Sequence, residues 1–341
     1  MFDPAFLKSL TGTPLRVQCT VLTVCPPASG RGGGKREWAV LRVVLRNAGS
    51  AGQGEATLLP HIEAHHPAVL RAQIAGAAAG LERMISPVDL PDLLPAGPLR
   101  SALDTALWDL LAKRSGRPAW ELLGVPPPRP VPVVRTVDRL ELPSLEAELR
   151  ASSAFPLLKL KLGAGAVEDD LARLEVVRRY RPDAWLMADA DGAWDVDRLH
   201  RMLPVLRAYE VSMLEQPLPE GESGALTALR RPFPIITELP YGDSGDVGRL
   251  ISRYDGINVK LDAVGGLTAA LGIMQEADQR GLAVLLGSPP ATALSWAAAL
   301  HAASGAHLVN LSPRLRAPGE RERELEPAGA VLGAPVPSLW G

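Results

Sequence analysis

The chain has 341 residues, 47% hydrophobic and 22% charged, enough for one large core with a smaller one beside it. A formal net charge of −2 and a pI of about 6.3 exclude a global basic field for nucleic acid or an anionic membrane surface, so the expected partners are small molecules. The opening MFDPAFLKSLTGTP has no charged stretch leading into an unbroken apolar run, and no run of about 18 apolar residues follows, so neither secretion nor membrane insertion is predicted.

In chain order, residues 14–24 (PLRVQCTVLTV) and 38–46 (WAVLRVVLR) are rich in β-branched residues and predict two antiparallel strands, with SGRGGGKRE as a long hairpin connection. The two cysteines, Cys19 and Cys25, have neither CxxC spacing nor a His partner nearby; they read as ordinary thiols in a reducing cytoplasm. Helical spacing follows over 67–83 and 101–116, where Leu103, Leu107, Leu110 and Leu111 form an apolar stripe and Gly116 ends the helix. These elements predict an α+β domain over residues 1–125. The Pro-rich VPPPRPVPV then marks a change of organisation.

Beyond it, short apolar runs end near residues 137, 162, 189, 215, 238, 260, 287 and 311, with helix-like stretches between them. Strand and helix alternating at that pitch predict an α/β fold, a parallel β/α barrel over residues 126–315. The charged segment after Leu315 reads as a solvated connection, with residues 316–341 returning to the first domain.

In a barrel strand alternate side chains point inward, so in LLKLKLG the residues Lys159 and Lys161 face the barrel interior and Leu158, Leu160 and Leu162 the surrounding helices. A structural strand fills such positions with Val, Ile or Leu, since an unpaired buried charge is costly. The next strands deliver Asp189, with Asp191 two residues on, then Glu215 and Glu238, each at the same rim. Three hard oxygen ligands from adjacent strands suit Mg²⁺, with Mn²⁺ as a substitute. GINVKLDAVGG puts Lys260 on the strand after Glu238, at the end where barrel active sites lie.

Lys-x-Lys (159–161), DADGAW (189–194), LEQP (214–217), the acid of TELP and NVKLDAVGGLTAAL (258–271) resemble the enolase superfamily, muconate-lactonizing (mandelate racemase/muconate cycloisomerase) subgroup. SALDTALWDLLAKRSGRPAWELLG (101–124) is similar to the capping-domain helices of that group. The resemblance implies a capping domain over a modified (β/α)8 TIM barrel, (β/α)7β. It implies Asp189, Glu215 and Glu238 as magnesium ligands and Lys161 and Lys260 as acid/base catalysts on opposite faces of a carboxylate substrate. Lys159 would support the substrate carboxylate or depress the pKa of Lys161. A lysine serves as base only if its pKa falls from about 10.4 toward neutrality, which neighbouring cations and partial burial favour. Proton removal α to a carboxylate through an enediolate would then give racemisation or epimerisation, and one base alone would give elimination or cycloisomerisation.

KLDAVGGLTAAL most resembles dipeptide epimerases, with two departures. Those enzymes carry Asp-x-Asp at the end of the last strand to hold an ammonium group, where this chain has Asn310-Leu311-Ser312; Ala291 stands where a Glu is usual. N-acylamino acids and succinylbenzoate-type acids therefore compete as substrates, and a carboxylate-binding barrel without turnover is the non-enzymatic alternative. Thr136, Asp191, Ser288, Asn310 and Ser312 are the candidate substrate contacts, and a homo-oligomer is compatible with the sequence. SGRGGGK fails the phosphate-loop pattern and resembles the group's mobile capping loop. His61, His65 and His66 read as a polar loop, Trp185 and Trp194 as packing residues, and the sequon at Asn310 as a chance match.

Overall fold

The structure, a computed structural model, describes residues 15–24, 37–82, 86–242, 246–311, 313–317, 325 and 328–341. It opens with an antiparallel sheet of β1 (Arg16–Val24), β2 (Trp38–Asn47) and β3 (Ser50–Leu58), in that order. The expected hairpin connection at residues 25–36 lies outside the described residues. β3 is a strand the sequence reading missed, because its glycines lower strand propensity. They have a packing reason. A Cβ on Gly52 would come within 2.2 Å of the Ala106 carbonyl, and one on Gly54 within 2.1 Å of the Ala102 carbonyl.

The backbone against β3 belongs to a long helix. After α1 (Pro67–Glu82) and α2 (Leu90–Leu93) comes α3 (Pro98–Ser115), stopped by Gly116 in the left-handed conformation at φ 66°. Proline at its first position and glycine just past its end follow helix-terminus chemistry. The expected apolar stripe is divided between two cores. Leu103, Leu107 and Leu110 pack with the sheet, while Trp108, Leu111 and Ala112 pack with the barrel. α3 is therefore buried over nearly its whole length.

α4 (Ala119–Leu123) and the short β4 (Val131–Pro132) lead into eight parallel strands. These are β5 (Arg135–Val137), β6 (Leu157–Lys161), β7 (Trp185–Asp189), β8 (Val211–Glu215), β9 (Ile235–Glu238), β10 (Gly256–Lys260), β11 (Ala283–Gly287) and β12 (Leu308–Asn310). Neighbours in sequence are neighbours in the sheet, and each strand ends within one residue of the expected position. The seam between β12 and β5 is bridged where Val134 N donates to the Val309 carbonyl at 2.8 Å, so the barrel is nearly closed.

The strands are covered by α5 (Leu142–Ala151), α6 (Val167–Tyr180), α7 (Val196–Ala208), α8 (Leu261–Val264), α9 (Leu267–Gln279) and α10 (Ala293–Leu300). β8 and β9 are followed instead by 3-10 turns at Glu220–Ala228 and Val247–Arg249. Leu158, Leu160 and Leu162 face the helices, fully buried. Inside the barrel Met187, Met213, Ile236 and Leu285 form an apolar layer. Their strands place the charged residues one step further along, toward the carboxyl ends. β13 (Val331–Leu332) pairs antiparallel with β4, and the chain ends with Trp340 Nε1 donating to the Thr105 carbonyl of α3 at 3.2 Å. Among the described residues no helix is long and apolar enough to cross a membrane.

Candidate active site

Strand register gathers the charged side chains. Lys161 pairs with Asp189, Asp189 with Glu215, and Glu238 with Asn258 two residues before Lys260. Lys159, one pleat deeper and only 5% exposed, puts its Nζ 3.0 Å from Asp189 Oδ2 and 3.0 Å from Glu215 Oε2. Lys161 Nζ lies 2.9 Å from the same Asp189 oxygen and 3.5 Å from Asp191 Oδ1. On the other side Lys260 Nζ meets Glu238 Oε1 at 2.5 Å. The three acids thus sit side by side at the mouth, Asp189 and Glu215 paired with Lys159 and Lys161 on one side and Glu238 with Lys260 on the other, so that each buried charge has an opposite one in contact.

Lys161 does not have the lowered pKa that the sequence predicts. Burial works to lower both Lys159 and Lys161, but facing carboxylates outweigh it: Glu215 and Asp189 raise Lys159, and Asp189 and Asp191 raise Lys161. Lys159 pulls Lys161 down, as expected, but less than Asp189 lifts it. Burial opposes ionisation of Asp189, yet Lys159 and Lys161 hold its carboxyl well below the usual range. Burial pushes Glu215 up against the pull of Lys159, helped by its neighbours Asp189 and Glu238.

Two residues that the sequence reading passed over support the acids. Asn258 Nδ2 donates to Glu215 Oε1 at 2.6 Å, and Gly287 opposite leaves room for its side chain. Gln216 Oε1 accepts from the Thr237 hydroxyl at 2.7 Å and from Glu238 N at 3.1 Å, fixing the end of β9. Gln216 and Asp191 adopt positive φ, 42° and 56°, at the two turns flanking the acids. Alternation along INVKL already places Asn258 on the face of Lys260; the signal was available.

The candidate substrate contacts scatter. Asn310 and Thr136 face each other across the seam: Asn310 Nδ2 donates to the Val134 carbonyl at 2.9 Å and to Thr136 Oγ1 at 3.1 Å. Both thus help close the barrel. Asp191 is half exposed and 3.5 Å from the Arg139 guanidinium. Ser288 lines a cavity of about 20 Å³ with Glu55, Ser101, Asp262 and Ser295, at the junction with the antiparallel sheet, and its hydroxyl has no partner there. Ser312 lies outside the described residues. Ala291 is buried and bridges to Arg314. A larger cavity, about 230 Å³, opens beside Asp191, Gln216 and Glu238 toward Arg249 and Arg253.

His65 corrects the polar-loop reading. It is buried, accepts from Leu59 N at 2.9 Å, and packs edge-on to Tyr241 with ring centroids 4.8 Å apart. Burial lowers its pKa to about 4. Trp194 is 1% exposed and Trp185 packs on the barrel's inner apolar layer, both as expected.

Asp189, Glu215 and Glu238 offer three hard anionic donors from adjacent strand ends, a set whose chemistry fits Mg²⁺. With their oxygens turned to the lysines, no three acidic, His or Cys groups among the described residues converge on one point. A shared cation therefore requires side-chain rotation at the strand ends.

Known proteins resemble the chain along most of its length. Residues 144–327 match the family described as Enolase C-terminal domain-like, and residues 18–124 match Mandelate racemase / muconate lactonizing enzyme, N-terminal domain. The chain is 34% identical over 271 residues to the L-Ala-D/L-Glu epimerase of Escherichia coli (strain K12), covering 79% of this chain and 83% of that one. It is 31% identical over 253 residues to the N-acetyl-D-glutamate racemase of a Pseudoalteromonas species, covering 74% and 79%. A solved enolase family member from Agrobacterium tumefaciens with homology to dipeptide epimerases, with bound sodium and L-Ala-L-Glu, superposes with a TM-score of 0.86 at 30% identity, covering 96% of this chain and all of that one.

Proposed function

The chain belongs to the mandelate racemase / muconate lactonizing enzyme family of the enolase superfamily, and from that premise we propose that it is a Mg²⁺-dependent epimerase or racemase that moves the proton on a carbon next to a carboxylate. The observation that carries the reading is the pair of lysines. Lys161 on β6 and Lys260 on β10 stand four strands apart around the same mouth, with the three acids on the three strands between them.

Asp189, Glu215 and Glu238 would hold the cation, which supplies positive charge for the substrate carboxylate as the α carbon loses its proton. Lys161 and Lys260 approach that carbon from opposite sides. One removes the proton and the other returns it to the opposite face, which inverts the centre. Asp189 is the acid that lifts Lys161, and a cation held by Asp189 would compete for that charge and leave the lysine nearer the range a base needs. Lys159, tied to both Asp189 and Glu215, fixes the spacing of two ligands from beneath.

The substrate reading divides at the end of β12. An ammonium group in a dipeptide calls for an anion there, and Asn310 is neutral and engaged with Thr136. That observation favours an N-acylated substrate as the second reading, in keeping with the likeness to an N-acetyl-D-glutamate racemase. The test is chiral analysis of dipeptides and N-acylamino acids incubated with the protein, with Mg²⁺ and with a chelator. Inversion that stops with the chelator and returns with Mg²⁺ or Mn²⁺ is expected. A lactone or a new double bond would move the protein to cycloisomerisation or elimination, and stoichiometric binding with no chemical change to a carboxylate-binding barrel.

A further inference from the structure

In the segment KLDAVGG the residues after Lys260 are tied by hydrogen bonds to β3 and α3. Lys260 flanks the N-terminal end of α8, and Asp262 lies in its first turn. Asp262 Oδ2 accepts from Thr57 N of β3 at 2.8 Å, and Oδ1 accepts from the Ser101 hydroxyl of α3 at 3.4 Å. Arg100, also on α3, donates through Nη2 to the Val264 carbonyl at 2.7 Å and through Nε to the Gly265 carbonyl at 3.3 Å. Asp104, one turn on, accepts from Thr268 N at 3.1 Å and from the Thr268 hydroxyl. The two glycines of the segment are where the helix comes closest. At φ 90° and 120°, a Cβ on Gly265 would meet the Arg100 guanidinium at 2.2 Å, and one on Gly266 would meet Asp104 at 2.5 Å.

Lys161 is held differently. The turn after its strand is fixed within the barrel: Leu162 N donates to the Asp189 carbonyl at 2.8 Å and Gly163 N to Asp170 at 3.0 Å. Asp170 in turn pairs with Arg198 at 2.7 Å. Both lysines stand on barrel strands and pair with barrel acids, but the turn after Lys161 is tied to the barrel and the turn after Lys260 to the sheet and helix that precede it.

We propose that Asp262 is a positioning residue for Lys260, through which the seating of β3 and α3 on the barrel sets the activity of one of the two proton-transfer faces. Removing its carboxylate loosens the first turn of α8 and the backbone at its start that carries Lys260, which leaves the pairing of Lys260 with Glu238 less firmly placed, while Lys161 keeps its barrel-internal support. The inference rests on the proposed role of Lys260, but its placement is testable without a substrate.

The experiment is trace acetylation of the whole protein with acetic anhydride, read by mass spectrometry as the ratio of Lys260 to Lys161 labelling in one sample. Asp262→Ala is expected to raise that ratio roughly fivefold or more, the scale of one lost buried hydrogen bond. An unchanged ratio in the folded variant, or an equal rise at both lysines, overturns the proposal. Should Asp262→Ala fail to fold, Asp262→Asn, which keeps a carbonyl acceptor for Thr57 N, is expected to move the ratio in the same direction by a smaller factor, and no movement there overturns it. On a substrate that exchanges its α proton, the variant is expected to slow deuterium uptake from one epimer far more than from the other, and equal slowing contradicts the proposal. A changed labelling ratio with no exchange on any substrate counts against the proposed reaction and leaves the positioning role standing.

Discussion

Asn258 holds one oxygen of Glu215 at 2.6 Å while Lys159 holds the other at 3.0 Å, so both oxygens of the carboxylate are oriented by neighbours. Residues that orient a metal-binding acid in this way are worth roughly 10–100-fold in metal affinity. Asn258→Leu is therefore expected to weaken Mg²⁺ binding by about that factor in calorimetric titration, and an unchanged affinity would show that Lys159 alone orients Glu215. The charged positions were readable because strand alternation and strand ends constrain them locally. Asp262 was not readable: its partner Thr57 is 205 residues away in sequence. Nor did strand-end position alone show that Asn310 and Thr136 meet across the seam rather than point to the mouth.

At the scale of elements, β3 and α3 form the tightest junction in the cap. Gly52 and Gly54 let the strand lie against the helix backbone, and Gln53 N between them donates to Asp109 Oδ2 at 2.7 Å. Gly52→Ala or Gly54→Ala is expected to lower stability by about 1–3 kcal/mol or more, the cost of overpacking a filled core, measured by urea denaturation. Wild-type stability in both variants would mean the sheet can shift outward freely. The same glycines explain why this strand was illegible. A propensity reading sees Gly-rich sequence as a break, whereas here the missing Cβ is what the packing demands. The barrel strands were legible because their apolar runs carry the signal, and the glycines that close packing demands there, Gly256 and Gly287, stand only at strand ends. The turns after β8 and β9 became 3-10 turns rather than full helices, a distinction that apolar spacing over so few residues does not carry.

The whole molecule joins its two cores through buried carboxyls. Burial pushes Asp104 up to about 7 against hydrogen bonds from Thr268, and Asp262 up to about 7 against those from Thr57 and Ser101. A carboxyl whose folded pKa lies above its unfolded value contributes stability fully below the unfolded value, near 3.8, and loses it as pH rises through 7. The advantage of wild type over Asp104→Asn in unfolding free energy is therefore expected to shrink between pH 4 and pH 8, by at most roughly 4 kcal/mol. A pH-independent difference would mean that Asp104 is ionised throughout. These cores hold the two lysines on one mouth, and the central claim is that both transfer a proton at the same carbon. The most direct measurement is α-proton exchange in D₂O with Mg²⁺, on dipeptides and N-acylamino acids, for wild type, Lys161→Ala and Lys260→Ala. The account predicts exchange with inversion in wild type and a loss of about 10²–10⁴-fold in inversion for each variant. Exchange that survives undiminished in both variants would contradict it.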